Sequence, residues 1–248
     1  MGLPFETDGG AAAKGAIGAI VLQNDETLEP EMRAVFSDVA VYHARIPSAP
    51  EVTPETLKAM EADLPKTAAL LPRETAFAAI GYGCTSGSTI IGPDRVRDLV
   101  RTGHPHAEVT NPLTAVMAAC DALGVRRIGF LTPYIADVSA AMRSALEENG
   151  LEIAAFGSFE QSEEAVVARI APASVLDAMI AVGRDPQAEA VFASCTNLRS
   201  LGIIDEAEAR LGKPVLSSNL AFFWHLRRLA GLPVTGHGPG RLFNPDSF

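Results

Sequence analysis

Two stretches of the chain read alike: AAIGYGCTSGS at 78–88 and AVFASCTNLRS at 190–200. Each is an apolar run that stops at Cys-Thr and continues in small or polar residues. A continuous apolar run of this length, closed by turn-forming residues, is the pattern of a strand covered on both faces. The two cysteines stand 111 positions apart, 195 minus 84. The same offset carries Ile17–Leu22 onto Ile128–Pro133, and Val39–Ile46 onto 150–157, which contains the strand-like Glu152–Phe156. Three strands that keep one offset predict a duplicated unit.

Working outward, strands are predicted at Ala16–Gln23, Val39–Ile46, Phe77–Gly83, Arg127–Thr132, Glu152–Phe156, Ala190–Ser194 and Pro214–Ser217. Helical patterns lie between them. Asn111-Pro112 reads as an N-cap and first-turn pair before a stripe of Leu113, Val116, Met117, Cys120 and Leu123. A second stripe, Ile135, Val138, Met142, Ala145 and Leu146, is stopped by Asn149-Gly150. The expected fold class is therefore α/β, with two pseudo-symmetric lobes, each a parallel sheet flanked by helices. Lobe one is expected over 15–110 plus 216–248, with a helix at Ser217–Ala230 packing back on it. Lobe two is expected over 111–215, with the active cleft between the lobes.

Composition bounds the function. Of 248 residues, 48% are hydrophobic and 20% charged, which predicts a globular core. A net charge of −10 with scattered basic residues argues against nucleic acid as a partner. No apolar run of about 18 residues is present, so no membrane span is expected. Residues 1–14 lack a basic n-region and read as a loose leader rather than a signal peptide. Three cysteines without a secretion signal predict a cytoplasmic protein with free thiols.

In open parallel sheets, ligands bind beyond the carboxyl ends of the strands. Cys84 and Cys195 each end the third strand of a lobe, so facing lobes bring the two thiols to one cleft. Two thiols flanking a carbon can take a proton from one side and return one from the other. Alternatively, one thiolate attacks a carbon while the other thiol moves a proton. Thr85, Ser86, Thr196 and Asn197 add donors after the cysteines, at turns expected to lead into helices. Two cysteines at matching strand ends favour the catalytic reading over a plain core one; Cys120, on an apolar stripe, is read as core.

The first strand of each lobe also ends at the cleft. Asn24 or Asp25 binds a polar substrate group there, or, with nearly equal claim, caps the following turn. Tyr134 donates to a carboxylate or oxyanion, or is a half-buried aromatic at a helix start. A residue of 158–164 reaches the cleft, or the segment is a solvated loop. His104 and His106 are expected in a solvent-exposed loop. No metal is expected, and no cofactor, because GYGCTSG at 81–87 matches no nucleotide-binding pattern. The glycine-rich 234–243 folds over the cleft or is a plain terminal loop.

These residues resemble the aspartate/glutamate racemase superfamily, in the branch of maleate cis-trans isomerases, arylmalonate decarboxylases and ectoine-utilisation racemase-like proteins. VLQNDETLEPE, GYGCTSGS, NPLTAVMAACDALGVRRIGFLTPY, FASCTNLRS and GPGRLF carry the resemblance, in the family's order. It implies an isomerase that works without a cofactor at a carbon beside a carboxylate, with Cys84 and Cys195 as opposed acid–base groups. In maleate isomerases the first-lobe cysteine is instead a nucleophile and the second manages a proton. The decarboxylases keep only the second, so Cys84 argues against that activity. Thr85, Ser86, Tyr134 and Thr196 become carboxylate binders.

Two departures matter. Asn24-Asp25 stands where maleate isomerases carry Ser-Asn, and Glu163 or Glu164 stands where they carry a carboxylate-binding asparagine. An acid repels a dianion. The expected substrate is therefore an amino-acid-like carboxylate whose ammonium meets Asp25 or a glutamate, and the enzyme is expected to act as a homodimer or higher homo-oligomer. The alternative is a maleate cis-trans isomerase with Cys84 as nucleophile; behind it stand an arylmalonate-type decarboxylase and a non-catalytic protein that binds a small ligand.

Overall fold

A computed structural model describes residues 1–245. The last three residues of the segment expected to close lobe one lie outside the described residues. The strands are β1 (Ala16–Leu22), β2 (Ala40–Ile46), β3 (Phe77–Gly83), β4 (Glu108–Thr110), β5 (Arg127–Tyr134), β6 (Glu152–Gln161), β7 (Ala190–Ala193) and β8 (Val215–Ser217). The helices of the first half are α1 (Leu28–Val35), α2 (Pro54–Ala59), α3 (Leu64–Ala68), α4 (Thr85–Ile91) and α5 (Pro93–Arg101). Then follow α6 (Pro112–Leu123), α7 (Ala136–Glu148), α8 (Glu164–Val167), α9 (Pro172–Gly183), α10 (Ile204–Leu211), α11 (Ser218–Leu229) and α12 (Gly240–Phe243).

The strands form two parallel four-stranded sheets with the same order, β2-β1-β3-β4 and β6-β5-β7-β8. The repeated order is the structural form of the sequence offset. β1 and β5 are each second in their sheet, β1 buried along its whole length and β5 along all but Arg127. That is why their sequences run apolar rather than alternating. β4 escaped the sequence reading because three residues carry no usable period; it pairs Ala79–Gly81 with Glu108–Thr110.

Helix ends follow local chemistry. The Asn111 carboxamide accepts from the Thr114 N–H at 3.0 Å, Pro112 occupies the first turn, and Gly124 ends α6 in the left-handed region. Val138, Met142 and Leu146 of α7 are at most 2% exposed. Burying each is worth about 2 kcal/mol.

α11 packs against β3 and α6. A Cβ at Gly81 would lie 2.1 Å from the Phe222 ring, so only glycine admits α11 this close to the sheet. Fully buried Arg227 of α11 pairs with Asp38 at 2.7 Å and donates to the Val35 carbonyl at 2.8 Å. The glycine-rich tail lies along α10: the Gly240 N–H donates to Asp205 and the Arg241 N–H to Glu208.

Among the described residues no helix is long and apolar enough to cross a membrane, and no group of three or more His, Cys, Asp or Glu could hold a metal ion. The loop histidines divide. His106 is exposed, but His104 is only 7% exposed, packed edge-on against Phe77 with Nε2 3.1 Å from the Ala68 carbonyl. The expectation of a solvated His104 is thus corrected: an aromatic neighbour and one satisfied ring nitrogen make burial favourable.

Candidate active site

β3 ends at Gly83 and β7 at Ala193, which delivers Cys84 and Cys195 to the same ends of the two sheets. Both thiols are buried, 3% and 2% exposed. Their turns differ. Cys84 is extended and caps α4, its sulfur accepting the Gly87 N–H at 3.1 Å. Cys195 has φ +113°, and no α-helix follows until Ile204. Both turns lead towards a helix as expected, the first directly into α4 and the second by way of a helical turn at Leu201–Ile203. A positive φ at a residue with a Cβ is strained and persists only where its surroundings hold it.

Several contacts hold Cys195. Its N–H donates to Ser218 Oγ at 2.9 Å, and that hydroxyl lies 2.7 Å from Thr85 Oγ1 in the first half of the chain. The Tyr134 hydroxyl donates to Cys195 Sγ at 3.0 Å, and the Asn197 N–H reaches the same sulfur at 3.3 Å. The Thr196 hydroxyl donates to the Gly83 carbonyl at 3.3 Å, tying one cysteine turn to the other. Ser86 Oγ lies 3.7 Å from Cys84 Sγ.

Burial pushes the Cys84 thiol up to about 12, opposed by the Gly87 N–H and Ser86. Burial also pushes Cys195 well above its ordinary range, and the carboxyls of Glu164 and Asp25 push it in the same direction. Glu164 raises Cys84 as well, which places its carboxyl within electrostatic reach of both thiols. In this state both thiols hold their protons at neutral pH.

The acids are themselves displaced. Asp25 is 4% exposed; Oδ1 accepts the N–H groups of Thr27 at 2.8 Å and Leu28 at 2.7 Å, while buried Oδ2 has no hydrogen-bond partner. Burial raises its carboxyl. Asp25 thus holds the turn into α1 with one oxygen, and the Thr196 hydroxyl counters part of the effect of burial on its carboxyl. Asn24 serves the fold, donating to the carbonyls of Ser48 and Ala49 at 3.0 and 2.9 Å. Burial raises Glu164 to about 7, and its Oε2 accepts from the Asn197 carboxamide at 2.9 Å. Asn197 also accepts the Glu26 N–H at 2.9 Å, so it joins the two halves at the site.

Glu163 is not in the cleft. It is exposed, and it forms an antiparallel bridge with Glu51. The flanking bonds, Val52 N–H to the Ser162 carbonyl at 2.7 Å and Glu164 N–H to the Pro50 carbonyl at 3.0 Å, fix this segment as extended chain. Neighbouring side chains then face opposite ways, so turning Glu164 inward sends Glu163 out. A cavity of about 360 Å³ lined by Asn24, Asp25, Arg45, Pro50 and Glu164 reaches the two acids from outside.

Sequence reasoning missed Ser218, Asn219 and Glu31. The first two follow β8, and the strand-end rule applied to a fourth strand would have found them. Asn219 donates to the Thr196 carbonyl at 2.8 Å and to Glu31 at 2.7 Å.

Known proteins resemble the chain along its length. It is 28% identical to the maleate isomerase of Nocardia farcinica over 93% of this chain and 96% of that protein. It is 37% identical to the arylmalonate decarboxylase of Bordetella bronchiseptica over 54% and 57% of the two chains. A crystal structure of the Nocardia farcinica maleate cis-trans isomerase, a cysteine-to-serine variant with a covalently bound succinylcysteine intermediate, superposes with a TM-score of 0.84. It is 27% identical and covers 94% of this chain and 99% of that one. The expectation of an isomerase is thus met by relatives that match over nearly their whole length. The arylmalonate decarboxylase family model matches residues 17–243, and the chain belongs to that family, within the racemase-like branch that also holds the maleate isomerases.

Proposed function

We propose that this isomerase moves a proton at the carbon beside the carboxylate of a small, amino-acid-like substrate, with Cys84 and Cys195 as the two acid–base groups. The observation that carries this reading is the pair of buried acids, Asp25 and Glu164: beyond the effect of burial, Glu164 raises both thiols and Asp25 raises Cys195. A substrate ammonium set against them offsets the part of the rise at Cys195 that these charges add to burial. Binding the correct substrate therefore eases formation of the thiolate that attacks it. A dianion at the same place would act in the opposite sense.

In the forward direction one thiolate takes the α-proton, and the electron pair moves into the substrate carboxylate as an enediolate. The opposite thiol then gives its proton to the other face of the carbon. The first cysteine is left as thiol and the second as thiolate, so the next turnover runs in reverse or after proton exchange with water. Thr85, Ser86, Tyr134, Thr196 and Asn197 stand around the sulfurs as donors for carboxylate and enediolate oxygens. Thr196 and Asn197 bond to groups of lobe one and Thr85 to Ser218, and substrate takes over those bonds.

A second reading is favoured by the full-length relatives, which are maleate isomerases. There the Cys84 thiolate adds to one alkene carbon of maleate and the adjacent carbon takes a proton from Cys195. After rotation about the new single bond, Cys195 takes that proton back and the Cys84 sulfur leaves, giving fumarate.

Proton NMR in D₂O separates the readings, with aspartate, glutamate, N-acetyl-diaminobutyrate and maleate offered singly. Loss of an amino acid's α-proton signal, abolished by Cys84→Ala or Cys195→Ala, is the expected result. Conversion of maleate alone would establish the second reading and remove the first.

A further inference from the structure

Glu31 takes no part in either reaction, yet this half-buried acid spends its bonds on the loop after Cys195 and on Asn219 of α11. It sits in α1, one turn after Thr27. Oε1 accepts the N–H groups of Ser200 at 2.8 Å and Leu201 at 2.9 Å. Oε2 accepts from the Asn219 carboxamide at 2.7 Å, and the same nitrogen donates to the Thr196 carbonyl at 2.8 Å. The Thr27 hydroxyl donates to the Asn197 carbonyl at 3.0 Å. The peptide units that follow Cys195 are thus held from α1, directly or through one amide.

This loop has little of its own to hold it. It leaves β7 after Ala193 and reaches the next helical turn only at Leu201. It carries the positive φ of Cys195, which is held largely from outside the loop, by Ser218 and Tyr134. Burial pushes the Glu31 carboxyl up to about 7, against the pull of its three donors, and Asp25 adds to the rise. Glu26, Arg199 and Asp205 line the cavity of about 640 Å³ on which Glu31 opens.

We propose that Glu31 is a positioning residue for Cys195: through Ser200, Leu201 and the Asn219–Thr196 link it holds the loop that aims the thiol into the cleft. The proposal rests on Cys195 handling a proton, which both reactions above require.

Glu31→Gln tests it at nearly constant volume. The new amide oxygen still accepts from Ser200 and Leu201, but the new NH₂ meets the Asn219 NH₂ donor to donor, and the link to Thr196 is lost. A misdirected reacting group costs about 100-fold, so kcat falls by about that factor while KM, set by groups that touch substrate, moves about threefold at most. In the free protein, peptide-resolved mass spectrometry of iodoacetamide labelling shows Cys195 alkylated about tenfold faster, as expected for one lost charge-assisted hydrogen bond, with Cys84 unchanged. Asn219→Ala cuts the Thr196 arm alone and gives the same pattern, and the double variant is no worse than the poorer single one.

Equal acceleration at both cysteines, no acceleration at either, or a KM rise that accounts for the whole loss would each overturn the proposal. The labelling needs no substrate. A wild-type protein inactive on every compound offered would therefore sink the proposed function and leave this result readable.

Discussion

The Tyr134 hydroxyl donates to the sulfur of Cys195 across 3.0 Å, from the end of β5 to the turn after β7, with both groups buried. Of the contacts to this thiol, it is the one a side chain supplies from a different strand, and it opposes the effect of burial by favouring the thiolate. Tyr134→Phe removes the donor and leaves the ring. A hydrogen bond to a charged group is worth roughly 1.5–3 kcal/mol, so kcat/KM should fall about 10- to 100-fold. The pH profile of kcat/KM should also shift its thiol limb upward. An unaltered profile would mean that Tyr134 serves packing alone.

Glu164→Gln keeps an acceptor for the Asn197 carboxamide and deletes the charge. The affinity for an amino-bearing substrate should drop about tenfold or more, by loss of a charge-assisted contact. Both thiols should react with iodoacetamide at lower pH, because a like charge has gone. If the variant instead gains turnover on a dicarboxylate and loses nothing on the amino acid, the ammonium role of Glu164 is wrong.

Glu31 and Glu164 are raised from 4.5 to about 7 by burial. For a carboxyl raised on folding, the native state keeps a proton that the unfolded chain has released. Their contribution to stability is then fully present below about pH 4.5 and is lost as pH rises through 7. A tenfold change in proton affinity corresponds to about 1.4 kcal/mol, so each acid removes on the order of 3 kcal/mol between those limits. Guanidinium melts at pH 5 and pH 8 should show wild type weaker at pH 8, with the difference reduced in Glu164→Gln. Equal midpoints at the two pH values would contradict the raised carboxyls.

Asp38 is the counterion of Arg227, whose guanidinium is fully buried and lies over the Phe36 ring. Asp38→Asn leaves that cation without its partner. Removing one member of a buried pair costs about 3–5 kcal/mol, and here about 2–3 because Asp38 is partly exposed. A thermal melt that matches wild type would show that water or the Val35 and Pro233 carbonyls suffice.

Cys195 pays for its φ of +113° with steric strain that glycine would not feel. Cys195→Gly should therefore be more stable than Cys195→Ala by about 1 kcal/mol, while both lack activity. Equal melting temperatures would place the strain elsewhere.

Much of the architecture is legible in the sequence. The offset that maps Cys84 onto Cys195 also maps β1 onto β5, and the sheets share one strand order. Legibility fails where the deciding contact is distant along the chain. Glu163 and Glu164 are adjacent and chemically alike; only the bridge to Glu51 determines which one turns inward. His104 reads as a loop residue because Phe77 and the Ala68 carbonyl are remote in sequence. The shared Cys-Thr of the two turns conceals their difference in backbone conformation, and the second turn is contacted by Ser218, Asn219 and Glu31, all distant along the chain.

By itself the sequence determined the repeated α/β units, the strand ends that carry the two cysteines, and the kinship with an isomerase and decarboxylase family. The first two follow from periodicity and local turn chemistry, which act over a few residues and are written in order along the chain; the kinship follows from the resemblance of whole motifs such as GYGCTSGS and FASCTNLRS. Only the tertiary structure decided that Glu164 and Asp25 share the interior with the thiols, that Tyr134 meets Cys195, and that α1 holds the Cys195 loop. Those depend on burial and on bonds between segments as many as 188 residues apart, and desolvation of a charge exists only once the two halves have closed around it.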